Sequence, residues 1–229
     1  MRHVIFTTRA VKRKRGNARG VRLKLEYFKA EQRLRAHGVR RTILVMGSTR
    51  ASRRNPWYAV AREFGRLVGA DGRAALMTGG GPGIMEAANR GAYEAGGISI
   101  GLNIQLPREQ VANRYITPGL ALSFRYFALR KLHFLLRARA MVAFPGGYGT
   151  FDELFETLTL VQCAKMAPIP IVLVGRAWWR RAVGFDFLAA EGVIGRRDAR
   201  LFRFADTAAQ IWDAVTTPAL RARRSSPPS

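Results

Sequence analysis

An α/β fold, with a mainly parallel, doubly wound sheet and helices on both faces, is what this 229-residue sequence predicts. Three observations carry that expectation. From Thr42 onward, short apolar runs alternate with amphipathic stretches, the pattern of βαβ units feeding a parallel sheet. Two of these runs end in glycine-rich loops, "TGGGPGIME" and "PGGYGTFDE", placed where a strand would turn into a helix. The chain is also long enough, at 48% hydrophobic residues, to bury one sizeable core, and none of its apolar runs approaches the length that spans a bilayer. The outline is Rossmann-like.

The elements follow in order. Residues 1–40 read as a basic arm, helical or partly disordered: residues 1–41 hold 14 basic and 2 acidic side chains, a net +12 of the formal +24. Such a field attracts RNA, DNA, anionic lipid or small phosphorylated ligands without selecting one, and the plainer alternative is a solvated face. Strands are expected at "TILVM" (42–46), "AALM" (74–77), "ISIGL" (98–102), "MVAF" (141–144) and "IPIVLV" (169–174). Apolar residues at helical spacing predict helices over 56–68, 84–95, 123–140, 150–164 and 178–190, the first opened by Pro56 where a helix tolerates proline. These elements make one domain over 41–216, and residues 217–229, ending "RARRSSPPS", read as a disordered tail.

Several function classes drop out. One cysteine, Cys163, excludes an internal disulfide framework, and His3, His37 and His133 lack zinc-ligand spacing, so neither metal nor cofactor is expected. Positive charge without an apolar segment at the N-terminus is no secretory signal; a cytoplasmic protein with no membrane partner is the expectation. Ile84 or Glu86 stands where a dinucleotide fingerprint needs its last glycine, and Gly-Lys-Ser/Thr is absent from the sequence, which argues against hydride transfer and P-loop phosphoryl transfer. Open α/β sheets bind ligands beyond the carboxyl ends of their strands, and that rule selects three loops: "MGSTR", "TGGGPGIME" and "PGGYGTFDE".

In this order and spacing, "MGSTR", "TGGGPGIMEAANRGAYEAGG", "FRYFALRK" and "PGGYGTFDELFETLTL" resemble the LOG family of phosphoribohydrolases, once widely mislabelled as lysine decarboxylases. The resemblance spans roughly residues 41–212, and an arginine-lysine pair followed by PGGxGTxxE is that family's defining motif. It implies hydrolysis of the N-glycosidic bond of nucleoside 5′-monophosphates, AMP or related ones or cytokinin ribotides, to free base and ribose 5-phosphate. It also implies a homodimer with its site near the subunit interface, and a catalytic pair at Arg130 and Glu153.

The chemistry of the residues agrees. Cleaving a ribosyl bond builds positive charge on the sugar, which a carboxylate such as Glu153 stabilises while it orients water. Gly146, Gly147, Gly149 and Thr150 would hold the 5′-phosphate at a helix N-terminus, and Arg130 would clamp a substrate oxygen or restrain the carboxylate. Gly79, Gly80, Gly81 and Gly83 shape the second loop. Glu86 either touches ribose or satisfies the helix dipole; Ser48 and Arg50 either reach phosphate or base, or Ser48 caps a turn. Asn103 and Glu109 would face the site. Lys131 reads as an ion-pairing neighbour, His133 as packed or at the surface, and Tyr148 as stacking on a base or on a partner subunit. Phe124, Tyr126, Phe127 and Phe134 read as core or dimer contacts. Two rivals stand beside the enzyme: a non-catalytic carrier of a nucleotide or of molybdenum cofactor on the same scaffold, and a protein tethered weakly to nucleic acid by its basic arm.

Overall fold

The structure, a computed structural model, describes residues 15–105 and 111–217. Its centre is a seven-stranded sheet of β1 (Thr42–Met46), β2 (Ala75–Thr78), β3 (Ser99–Ile104), β4 (Ala121–Phe124), β5 (Ala138–Ala143), β6 (Ile171–Val174) and β7 (Arg203–Ala205). The strands lie in the order β4-β3-β2-β1-β5-β6-β7, and every neighbouring pair is parallel. The five apolar runs expected from sequence are the five central strands, β3, β2, β1, β5 and β6. Because both faces are covered, these runs need no polar alternation; their side chains divide between two cores instead. Leu44, Met46, Met141, Ala143, Ile171 and Leu173 point to one core, and Ile43, Val45, Ala140, Val142, Val172 and Val174 to the other.

On the second of these faces pack α2 (Pro56–Asp71), α3 (Ile84–Glu94) and α8 (Ala208–Thr216), through Phe64, Val68, Ile84, Ala88 and Ile211. The first face is covered by α1 (Arg15–Ala36), α4 (Phe127–Leu135), α5 (Tyr148–Gln162), α6 (Arg176–Ala182) and α7 (Phe185–Ala190), through Leu34, Phe134, Leu154, Trp179 and Phe185. Helix α2 starts as the sequence dictates: the Asn55 side chain accepts a hydrogen bond from the Trp57 amide at 2.9 Å and Pro56 takes the first turn.

Two expectations are corrected. The helix expected over 123–140 is a strand, a helix and a strand in succession: β4 ends at Phe124, α4 occupies only nine residues, and β5 begins at Ala138. Phe124 and Phe134 fill the same core, so their spacing reads as one helix although the chain breaks between them. The helix expected over 178–190 is two, α6 and α7, parted at Val183 and Gly184. In the basic arm, Arg15–Ala36 is helical and its Ala30 and Leu34 enter the core. Residues 1–14, Glu109 and residues 218–229 of the tail lie outside the described residues.

Candidate active site

The chain leaves β1 toward β2 on one side, while β5 pairs with β1 on the other, so the loops after β1 and β5 diverge and open a cleft at the switch point of the sheet. A cavity of about 1080 Å³ fills it. The three selected loops meet there through one residue: the Ser48 amide donates to the Pro145 carbonyl at 3.0 Å, and the Ser48 carbonyl accepts from the Ile84 amide at 3.1 Å. The loops following β1, β2 and β5 are thus stitched together by backbone hydrogen bonds.

Glu153 lies in the second turn of α5 and is 5% exposed; Arg130, on α4, is 9% exposed. Both line the cavity. The Arg130 Nη1 stands 3.7 Å from Glu153 Oε1, too long for a strong hydrogen bond, while Nε donates to the Leu102 carbonyl at 2.7 Å and the guanidinium lies 4.9 Å from the centre of the Phe134 ring. Burial dominates the electrostatics. It pushes the Glu153 carboxyl up to about 7, against the opposing pull of Arg130 and with help from the neighbouring charge of Asp152. Burial also draws Arg130 down from the ordinary arginine value, with the carboxylates opposing. A carboxyl poised near neutrality suits proton transfer.

The loop "PGGYGT" turns directly into α5, whose N-terminus faces the cavity without a side-chain cap among the described residues. The Thr150 and Phe151 amides fold back on the Gly147 carbonyl at 3.0 and 3.1 Å, and the Thr150 hydroxyl packs so closely on Gly146 that a Cβ there would collide with it. Gly146, Gly147, Tyr148, Gly149 and Thr150 all line the cavity, as do Gly79, Ser48 and Arg50. Tyr148 is 97% exposed at the mouth. The Ser48 hydroxyl accepts from the Arg50 amide at 3.1 Å, the turn-capping alternative.

Apart from Phe127, the other expected positions within the described residues stand outside the cavity lining. Glu86 accepts from Arg53 at 3.2 Å and from the Tyr58 hydroxyl at 3.0 Å. Lys131 pairs with Asp152 at 3.1 Å and Glu156 at 3.5 Å. Asn103 is buried against Gly80, and Gly80, Gly81 and Gly83 are packed into the base of their loop. His133 is fully buried between Tyr27 and Phe124, and burial pushes its imidazole down toward the neutral form. Phe124 and Phe134 are core, whereas Phe127 lines the cavity half exposed. Sequence reasoning passed over Trp57, Phe151 and Trp178, which give the cavity aromatic walls. Their signal was position: Trp57 and Phe151 fall in the first turns of helices entered from the switch-point loops.

The arrangement defines a class first: a Rossmann-type α/β protein whose switch-point cleft holds a buried carboxyl and guanidinium beside an open helix N-terminus. The family is narrower. The model of the family described as "Possible lysine decarboxylase" matches residues 85–215, more than half of the chain, and the protein belongs to that family. Over 182 residues, 78% of each chain, it is 28% identical to the "Probable cytokinin riboside 5'-monophosphate phosphoribohydrolase" of Oryza sativa subsp. japonica. A "Cytokinin riboside 5'-monophosphate phosphoribohydrolase" of the same organism is 27% identical over 175 residues, 75% of this chain and 71% of that one. Among solved structures, the molybdenum cofactor carrier protein of Chlamydomonas reinhardtii is similar with a TM-score of 0.55 and 26% identity, covering 78% of this chain and 97% of the other.

Proposed function

We propose that the protein hydrolyses the N-glycosidic bond of nucleoside 5′-monophosphates, releasing free base and ribose 5-phosphate. The observation that carries this reading is the pairing of Glu153 and Arg130 inside the cleft, one turn from the N-terminus of α5. That N-terminus suits a dianionic phosphate: backbone N–H groups and the helix dipole both favour negative charge there. The ribose would then lie over Glu153. As the bond from C1′ to the base nitrogen breaks, its electron pair leaves with the base, and water adds its oxygen to C1′. The Glu153 carboxylate accepts the water proton and stabilises the cationic sugar, and the always-charged Arg130 holds the carboxylate in place. The names of the Oryza relatives point to cytokinin ribotides as one substrate class, and AMP is the simplest member of the wider one.

A second reading is a carrier of molybdenum cofactor, favoured by the Chlamydomonas structure and by a cavity larger than a mononucleotide needs. A carrier has no use for a carboxyl poised near neutrality. Chromatographic detection of free base after incubation with a panel of nucleoside monophosphates separates the two readings. Release by the wild type, with a loss of at least about 100-fold in Glu153→Gln, is expected for the enzyme; no release from any monophosphate would turn the reading to the carrier.

A further inference from the structure

Helix α4 carries Arg130, yet its N-terminus is held by a residue that lies about a hundred positions earlier in the chain. The Glu26 carboxylate of α1 accepts from the Arg125 amide at 3.1 Å and from the Tyr126 amide at 3.2 Å. Tyr126 is the N-cap residue just before α4, and it makes no side-chain cap of its own among the described residues. A carboxylate in this place answers the positive end of the helix dipole. The same tyrosine is gripped twice more: its hydroxyl accepts from Arg22 Nε at 3.3 Å, and its carbonyl accepts from the Arg130 amide at 3.1 Å. An unbroken chain of contacts therefore runs from Glu26 through Tyr126 to Arg130, and from Arg130 to Glu153.

Helix α1 also meets α4 near its far end and the chain just beyond it. The Tyr27 ring sits 5.1 Å from that of His133, one turn beyond Arg130, and at the far end Glu31 accepts both Arg137 nitrogens at 2.7 and 2.9 Å. Glu26 and Glu31, the carboxylates of α1, are thus turned inward onto α4 and the start of β5.

We propose that α1 is a built-in strap that positions the Arg130 helix, with Glu26 as the positioning residue that fixes its N-terminal turn. The inference rests on Arg130 and Glu153 acting together as proposed above. It also assigns work to a segment outside residues 85–215, the part of the chain matched to the family. Losing the strap lets the first turn of α4 fray and the guanidinium withdraw from the carboxyl, and a displacement of about 1 Å at a reacting group is enough to cost catalysis dearly.

The test compares wild type, Glu26→Ala, Glu26→Gln and Arg22→Ala in the full chain. One readout is NMR titration of the Glu153 carboxyl, which needs no substrate; the charged groups facing it are Arg130 and Lys131 of α4 and Asp152 of α5. Glu26→Ala is expected to raise the Glu153 midpoint above its value of about 7, because Arg130 is the group that holds it down, and to lower kcat roughly tenfold with little change in KM. Glu26→Gln, which keeps an acceptor, is expected to recover most of both. If Glu26→Ala does not fold, Arg22→Ala, at the surface, carries the same expectation with a smaller shift. A fall in melting temperature with the Glu153 midpoint unmoved would reduce α1 to a stabilising layer and overturn the proposal. A moved midpoint in a protein that hydrolyses nothing would leave the strap standing and sink the hydrolase reading instead.

Discussion

The two glycine-rich loops look alike in sequence and are opposites in structure. In the loop after β2, almost every glycine is spent on packing: Gly80 and Gly83 sit at φ +72° and +71°, Gly80 lies against the Asn103 side chain, and Gly83 against the Ser48 carbonyl. A buried polar network locks that loop. The Thr78 hydroxyl donates to Asn89 at 2.7 Å and accepts from the Gly80 amide at 2.9 Å, while Asn113 donates to the Gly80 and Gly81 carbonyls at 3.2 Å each. In the loop after β5, Gly146 is packed on Thr150, but Gly147 has open space around it among the described residues, and a Cβ on Gly149 would meet only Glu153, at 3.9 Å. One loop is packed into the scaffold and the other opens onto the cavity. Glycine content alone does not separate them; what the glycines face does.

The largest effect expected from this contrast is in the closed loop. Gly83→Ala places a methyl group on the Ser48 carbonyl and forces a backbone with φ +71° and ψ −128°, a region essentially reserved to glycine. Ser48 is the residue that stitches all three loops, so the backbone cannot yield cheaply. A loss of about 3 kcal/mol or more is expected, read as a fall in denaturant midpoint at unchanged slope. A variant as stable as wild type would mean that the loop is not the rigid scaffold its contacts describe.

Strain in the open loop is electrostatic, so it should depend on pH where the other does not. Glu153 titrates at about 7 in the folded protein against an ordinary 4.5, so the stability it permits is complete below pH 4.5 and is lost as the pH rises through 7. The difference amounts to about 3 kcal/mol at most. Glu153→Gln resembles the protonated acid and does not ionise. It is expected to match wild type near pH 4.5 and to exceed it by up to about 3 kcal/mol at pH 8, while Gly83→Ala loses the same amount at both. A stability difference between Glu153→Gln and wild type that stays constant across this range would show that the carboxyl is not held in the buried, raised state. For the proposed hydrolysis the opposite course is expected: with the carboxylate as the working form, kcat/KM should rise between pH 6 and 8.

How much of this could be read in advance follows from the distance over which each feature is encoded. The central strands and the loop around Glu153 were legible because they are written in contiguous residues: apolar runs of four to six, then "PGGYGTFDE". The edge strands were not. β4 and β7 have four and three residues, three of the seven exposed, and their pairing is decided by neighbours far along the chain. The break between β4 and α4 was hidden for the same reason, since Glu26 acts on Tyr126 from 100 residues away. Within the site, Arg130 and Glu153 were found together, but the partner that orients Arg130, the Leu102 carbonyl, is a backbone atom with no sequence signature. Asn103 and Glu86 share the loops and strands of the candidate site, and it is packing, invisible in the sequence, that sets Asn103 against Gly80 and Glu86 against Tyr58.

The smallest expected effect on stability tests the open loop most directly. Gly147 is the N-cap of α5 at φ −95° and ψ −159°, an extended conformation open to any residue. Alanine there meets nothing within 4 Å among the described residues and restricts the unfolded chain, so the stability of Gly147→Ala is expected to stay within about 0.5 kcal/mol of wild type. The added methyl group does stand in the cavity beside the α5 N-terminus, where a phosphate would lie. Binding should therefore suffer where folding does not: KM for a nucleoside monophosphate is expected to rise several-fold with kcat nearly constant, the mark of lost uniform binding. A drop in stability like that of Gly83→Ala would make the two loops the same kind of object. An unchanged KM would move the phosphate away from α5, and with it the reason for placing the sugar over Glu153.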